Sequence, residues 1–218
     1  MANVCGNSIH IDYIRATRLT STGAVASAPN NHVVTASPVI LTASPEIMEG
    51  ESKTLVGGAD CVCVSYKGKD KLLRWNLTLQ FCALEPALIE ILTGAPLQVN
   101  GTAEPIGNSW PNQLSCAVAG QPGVAIEAWS DLWVGDAQYT GTARWIRWVF
   151  PMCFFQIDQF QLENDFLLPQ VKGYTRQNAV WADPYVDLPT GVVASAGGFY
   201  FYDDQVPTAV CGYSTYST

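Results

Sequence analysis

The ten residues Leu72 to Phe81, LLRWNLTLQF, constrain this chain more than any other stretch. Leu73, Trp75, Leu77, Leu79 and Phe81 alternate without a fault with Leu72, Arg74, Asn76, Thr78 and Gln80. A period of two places the first set on one side of an extended strand and the second on the other. The run is therefore a half-buried strand with a polar face, and it demands a sheet. The preceding CVCVSY is a second extended run, and KGKDK between them supplies the Gly68 and Asp70 of a hairpin turn, so the two runs are expected to pair.

Immediately after this strand the period changes. In LEPALIEILTG, Pro86 suits the first helical position, Leu88, Ile91 and Leu92 recur at helical spacing, and Gly94 suits a stop. Glu85 at the start complements the helix dipole. Beyond this helix the pattern returns to strands: VAIEAWSDLWV (124–134), then WIRWVFPMCFFQI from Trp145, where Pro151 predicts a bend or bulge. DQFQLENDFLLPQVKGYTRQN adds one or two more strands with END as a turn, and GGFYFYDD adds a short aromatic one. Residues 20–60 are rich in Ser, Thr, Ala, Pro and Gly and read as an arm and loops, with SPVILTASPEI as one short edge strand. Six to nine strands and one helix predict an antiparallel β-sandwich or barrel with a flanking helix. The expected organisation is an arm with loops over 1–44, a sandwich domain over 45–187 and an extension with a short strand over 188–218.

The candidate chemistry is sparse. Cys61 and Cys63 lie two apart on a strand, so they share a face, and no second pair completes a zinc site. They are expected to be reduced and packed inward as small apolar residues. Seven cysteines, an odd and scattered set, point to free thiols in a reducing compartment, where the Asn76 and Asn100 sequons go unused. His10 with Asp12, and His32, fall in the expected arm, a poor place for a catalytic base. Glu127 with Asp131 or Glu163 with Asp165 could serve as a carboxylate pair on a carbohydrate-active sandwich, with the exposed aromatics as its cleft. Gly57-Gly58 and Gly197-Gly198 lack the Lys and Ser/Thr of a phosphate loop. A net charge of -8 opposes nucleic-acid binding through phosphates. No apolar run reaches eighteen residues, the N-terminus lacks the pattern of a signal peptide, and no membrane insertion is expected.

The order of these features resembles the tail tube, or major tail, proteins of long-tailed bacteriophages, particularly those infecting actinobacteria. The match rests on ADCVCVSYKGKDKLLRWNLTLQFCALEPALIEILTG, and on Glu127-Ala128-Trp129, Pro151, Leu162-Glu163-Asn164, Gly173 and Asn178 to Trp181 in the later strands. It covers roughly residues 45 to 187. Asn178-Ala179 stands where the family has Asn-Pro, and the chain ends carry no matching motif. The resemblance implies a sandwich with one helix, six copies closing into a ring, and rings stacking into a tube that conducts genome DNA. It implies no catalysis and no cofactor. The implied partners are further copies, tape-measure, tail terminator and baseplate or tail-tip proteins, and DNA in transit, in a virion tail assembled in the host cytoplasm. A tail terminator or a capsid decoration protein is the alternative of the same class. Arg74, Asn76, Thr78 and Gln80 are the candidates to face the lumen. Leu88, Ile91 and Leu92 are expected to pack the helix on the opposite side of that strand.

Overall fold

A computed structural model describes residues 6–27, 30–56, 58, 61–102, 104–109, 123–141, 144–159, 168–178, 180 and 197–214. The strands are β1 (Asn7–Arg18), β2 (His32–Thr35), β3 (Pro38–Met48), β4 (Ser52–Val56), β5 (Val62–Lys67) and β6 (Lys71–Phe81). Helix α1 (Pro86–Thr93) follows, then β7 (Leu97–Val99), β8 (Pro105–Asn108), β9 (Val124–Val134), β10 (Ala137–Gln138) and β11 (Trp145–Gln159). β12 (Gln170–Thr175), β13 (Phe199–Asp203) and β14 (Tyr213–Ser214) complete the set. The fold is mainly β and antiparallel with one helix among the described residues. The main sheet has ten strands in the order β14-β2-β1-β9-β11-β12-β6-β3, with β10 on β9 and β13 on β11.

β11 gives the sheet its shape. Residues before Pro151 pair with β9 and β13, residues after it pair with β12, and the β9 register slips between Phe150 and Cys153. A proline cannot donate to the ladder, so a bulge there lets one long strand serve two half-sheets. Side chains from both halves meet in one core: Ile14, Val124, Ile126 and Ala128 from one, Leu77, Leu79, Phe81, Phe155 and Val171 from the other. α1 closes this core with Leu88, Ile91 and Leu92, as the spacing predicted. Gly94 ends the helix at φ 73°, a left-handed conformation that glycine adopts without strain, and its N–H bonds to Glu90 O at 2.8 Å.

Four expectations need correction. The segment over 1–44 is not an arm: β1 is an interior strand between β2 and β9, and the division at 44 falls inside β3. SPVILTASPEI is an edge strand, but a long one. Second, CVCVSY does not pair with the 72–81 strand. β5 pairs with β4 and β6 with β3, so the chain reverses between Val56 and Val62 and KGKDK runs on through the ribbon. The Asp70 carboxylate accepts the Gly50 N–H at 2.9 Å and Gly68 N–H bonds to Glu51 O, which holds KGKDK across from the other strand. A Cβ on Gly50 would collide with the backbone of Gly68, so that crossing requires glycine. Third, the 72–81 alternation is buried only at Leu77, Leu79 and Phe81; Leu73 is exposed, because this end of β6 has left the body. Fourth, Glu85 does not cap the helix with its side chain; it accepts the Gly212 N–H instead, and burial pushes its carboxyl up.

Candidate assembly surfaces

Beyond Met48 and Lys71 the ribbon β4–β5 projects as an arm, and its side chains sort by the strand period. In the register Lys53↔Tyr66 and Leu55↔Val64, one face carries Leu55, Val64 and Tyr66, joined by Val62 two residues along. The other face carries Ser52, Thr54, Cys63, Ser65 and Lys67. All of β4 and β5 is exposed. The expected orientation of CVCVSY is thus inverted: Val62, Val64 and Tyr66 are the apolar set, whereas Cys61 and Cys63 are free, exposed thiols on the polar side. Their alternation was present in the sequence, but it fits either assignment until the partner strand is known.

Leu55, Val56, Val62, Val64 and Tyr66, with Ile47, Met48, Leu72 and Leu73 at the root of the arm, are each about half to two-thirds exposed. Leu55, Val62, Val64 and Tyr66 share one face and form a continuous exposed apolar strip, a kind of surface that marks interaction sites. A two-stranded ribbon with an uncovered apolar face is marginal alone and gains stability when another surface covers it.

The four lumen candidates lie on the outward side of the β3-β6-β12-β11 half-sheet. Arg74 donates to Glu46 Oε2 at 2.6 Å, and Asn76 donates to the same oxygen at 3.2 Å. These bonds hold the Glu46 carboxyl below its usual range. Thr78 sits between Thr42 and Lys172, and Gln80 donates to Gln170 Oε1 at 3.1 Å. Lys172 pairs with Asp158 at 2.8 Å. Arg176 stacks over Phe154 at 5.0 Å, and Arg74 over Tyr174 at 4.5 Å. The described cations on this face are therefore each matched to a carboxylate or a ring.

In the β1-β9-β11 part of the sheet, the side turned away from the core buries charge. Glu127, fully buried, accepts from Arg15 Nε with one oxygen and from Arg147 Nη2 with the other. Arg147 also lies 3.5 Å from Asp203, and both guanidiniums stack on Trp129 at 5.4 and 5.0 Å. Burial lowers the Arg147 pKa, and Glu127 counters it. Glu127 is accordingly a structural counter-ion rather than a water-facing acid, and Asp131 is engaged by Gln138. Glu163 and Asp165 lie outside the described residues. Beside this cluster His32 is buried and donates from Nδ1 to Asn31 Oδ1 at 2.8 Å, and burial and Arg15 push its pKa down to about 4. His10 and Asp12 fall in an irregularity of β1 between Ile9 and Tyr13, where burial and Asp131 raise the Asp12 pKa. Nothing in the sequence marked Arg15, Glu127 and Arg147 as one cluster, since their spacing closes only through strand pairing. No grouping of three or more metal-ligating side chains occurs among the described residues, and no described helix is long and apolar enough to cross a membrane.

No protein-family model matches this sequence, and no curated protein is detectably similar to it.

Proposed function

We propose that this chain is a structural subunit of a phage-type tail tube, with copies joining into rings and stacks whose bore conducts genome DNA. The observation that carries this reading is the projecting arm, which holds a continuous apolar strip in water that another surface would cover. An open edge at β3 offers a second means of joining copies by strand pairing. The half-sheet with Arg74, Asn76, Thr78 and Gln80 suits a bore: it is polar, and its matched cations leave little to hold phosphate. The ordered likeness to tail tube proteins supports the same conclusion. Catalysis and cofactors play no part in it.

Negative-stain microscopy of the purified protein tests the reading. Hollow rods with a regular ring repeat are expected. Single closed rings would favour a terminator, and a strictly monomeric chain at high concentration would refute assembly.

A further inference from the structure

The ladder between β6 and β12 stops at Tyr174↔Asn76. One step on, the Trp75 N–H donates to Thr175 Oγ1 at 3.1 Å, and the same register carried one step further sets Arg176 opposite Arg74. Like charges directly opposite on antiparallel strands repel. Both guanidiniums also lie against one ring, Arg74 at 4.5 Å and Arg176 at 5.7 Å from the centre of Tyr174. Beside them the chain leaves a small cleft of ≈ 120 Å³, whose lining includes Arg74, Trp75, Thr175, Arg176, Gln177 and Gly197. At about 30 Å³ per water that is room for about four waters, well under the roughly 300 Å³ at which drug-sized ligand pockets begin. The cleft takes one small polar group and no nucleotide.

We propose that this cleft binds a single carboxylate group. Its donors are unspent. Arg74 gives Nε to Glu46, which leaves its two Nη groups without a partner among the described residues. Arg176 stacks on Phe154 and Tyr174 and meets no carboxylate among the described residues. Stacking holds the planar guanidiniums in place, and their forked donors match the two oxygens of a carboxylate. Thr175, 2% exposed, accepts from Trp75, while its own hydroxyl proton meets no described acceptor. Gly197 keeps the space open: a Cβ there would lie 3.1 Å from Thr175 Oγ1 and 3.3 Å from Trp75 Cδ1.

Charge selects a carboxylate over phosphate. Arg74 and Arg176 bring two positive charges and Glu46, which Arg74 keeps ionised, brings one negative, so one positive charge is left to balance. A carboxylate balances it. A phosphate group of about −1.5 to −2 would instead face Glu46 and a chain of net charge -8. Filling the cleft relieves the repulsion between the opposed arginines and stiffens the end of β6 from which the arm leaves. It also occupies the last guanidinium donors described on the polar half-sheet. Binding needs one copy only, so the site does not rest on the tube reading. Its carboxylate can come from a free small acid or from a side chain of a neighbouring copy.

The test is a titration of the dispersed full chain with acetate at constant ionic strength, chloride being the balancing ion. The nitrogen NMR signals of the Trp75 indole, the Gln177 side-chain amide and the arginine Nε groups report binding. A saturable, single-site response is expected, weakened about tenfold by Arg176→Gln and by Gly197→Ala. Lys172→Gln, at a cation of the same half-sheet already paired with Asp158, should leave it unchanged. The backbone amide spectrum verifies that each variant is folded. A response that fails to saturate, that chloride reproduces, or that both cleft variants retain would overturn the proposal, and so would tighter binding of inorganic phosphate. Rods that form more slowly in acetate identify the natural source as a neighbouring copy, and rods that form alike identify a free acid; both outcomes support the site. Saturable binding without rods in any buffer supports the site and sinks the tube reading, whereas rods without acetate binding do the reverse.

Discussion

Glu127→Gln should destabilise this protein by about 3–5 kcal/mol, the usual cost of removing one partner from a buried ion pair. The magnitude follows from burial. Arg15 and Arg147 are each 1% exposed and Glu127 is 0% exposed, so water contributes little screening. Each guanidinium at hydrogen-bond distance gains on the order of 4 kcal/mol from the carboxylate even at an effective dielectric constant of 20. Glutamine keeps the shape but leaves the two cations facing each other across Trp129, and Asp203, 3.5 Å from Arg147, offsets only part of the loss. Against a typical total of roughly 5–15 kcal/mol this is a large fraction of the stability. The measurement is urea unfolding followed by tryptophan fluorescence at a concentration low enough to keep copies apart, with Arg74→Ala as the control. The Arg74 pair with Glu46 is 41% and 35% exposed and should contribute at most about 1 kcal/mol. A loss below about 1 kcal/mol for Glu127→Gln, or equal losses in the two variants, would show that burial does not set the strength of this cluster.

His32 should make the fold acid-sensitive. With its folded pKa at about 4 against an ordinary 6.5, the unfolded chain takes up the proton first, so the contribution is complete above pH 6.5 and is lost as pH falls towards 4. The loss is roughly 3 kcal/mol, and Glu85, whose folded pKa is raised, works in the opposite sense. Unfolding curves of His32→Gln should be flatter over that window; an unchanged slope refutes the assignment. Thiol labelling of the dispersed native protein should modify Cys61, Cys63, Cys82 and Cys211 quickly and Cys153 only on unfolding, because Cys153 is buried and its pKa well raised. Peptide mass mapping checks this, and rapid reaction at Cys153 counts against the core as described. Glu46→Gln frees Arg74 on the polar half-sheet, so assembled protein should retain a short DNA duplex more strongly at low salt, with the gain vanishing at high salt. No change in retention would detach this face from the bore.

The sequence by itself determined the elements whose period and punctuation are local. β9, α1 and the kink in β11 were legible because Val124 to Val134 is a run rich in β-branched and aromatic residues, Pro86 and Gly94 bracket a helical stripe, and Pro151 cannot stay in a regular ladder. The tail aromatics at Phe199 to Asp203 were legible for the same reason. Pairing was not, because alternation states that a strand has two faces without stating which strand lies beside it. Tertiary structure decided that β6 takes β3 and β5 takes β4. That choice carried Val62, Val64 and Tyr66 away from the body and turned a run that looked like core into an arm. It also decided the environment of charge: Arg74 and Arg147 look alike along the chain, yet one is held in solvent by Glu46 and the other is sealed against Glu127 from a strand twenty residues away. A side chain's burial depends on what packs over it, and those neighbours are distant in sequence.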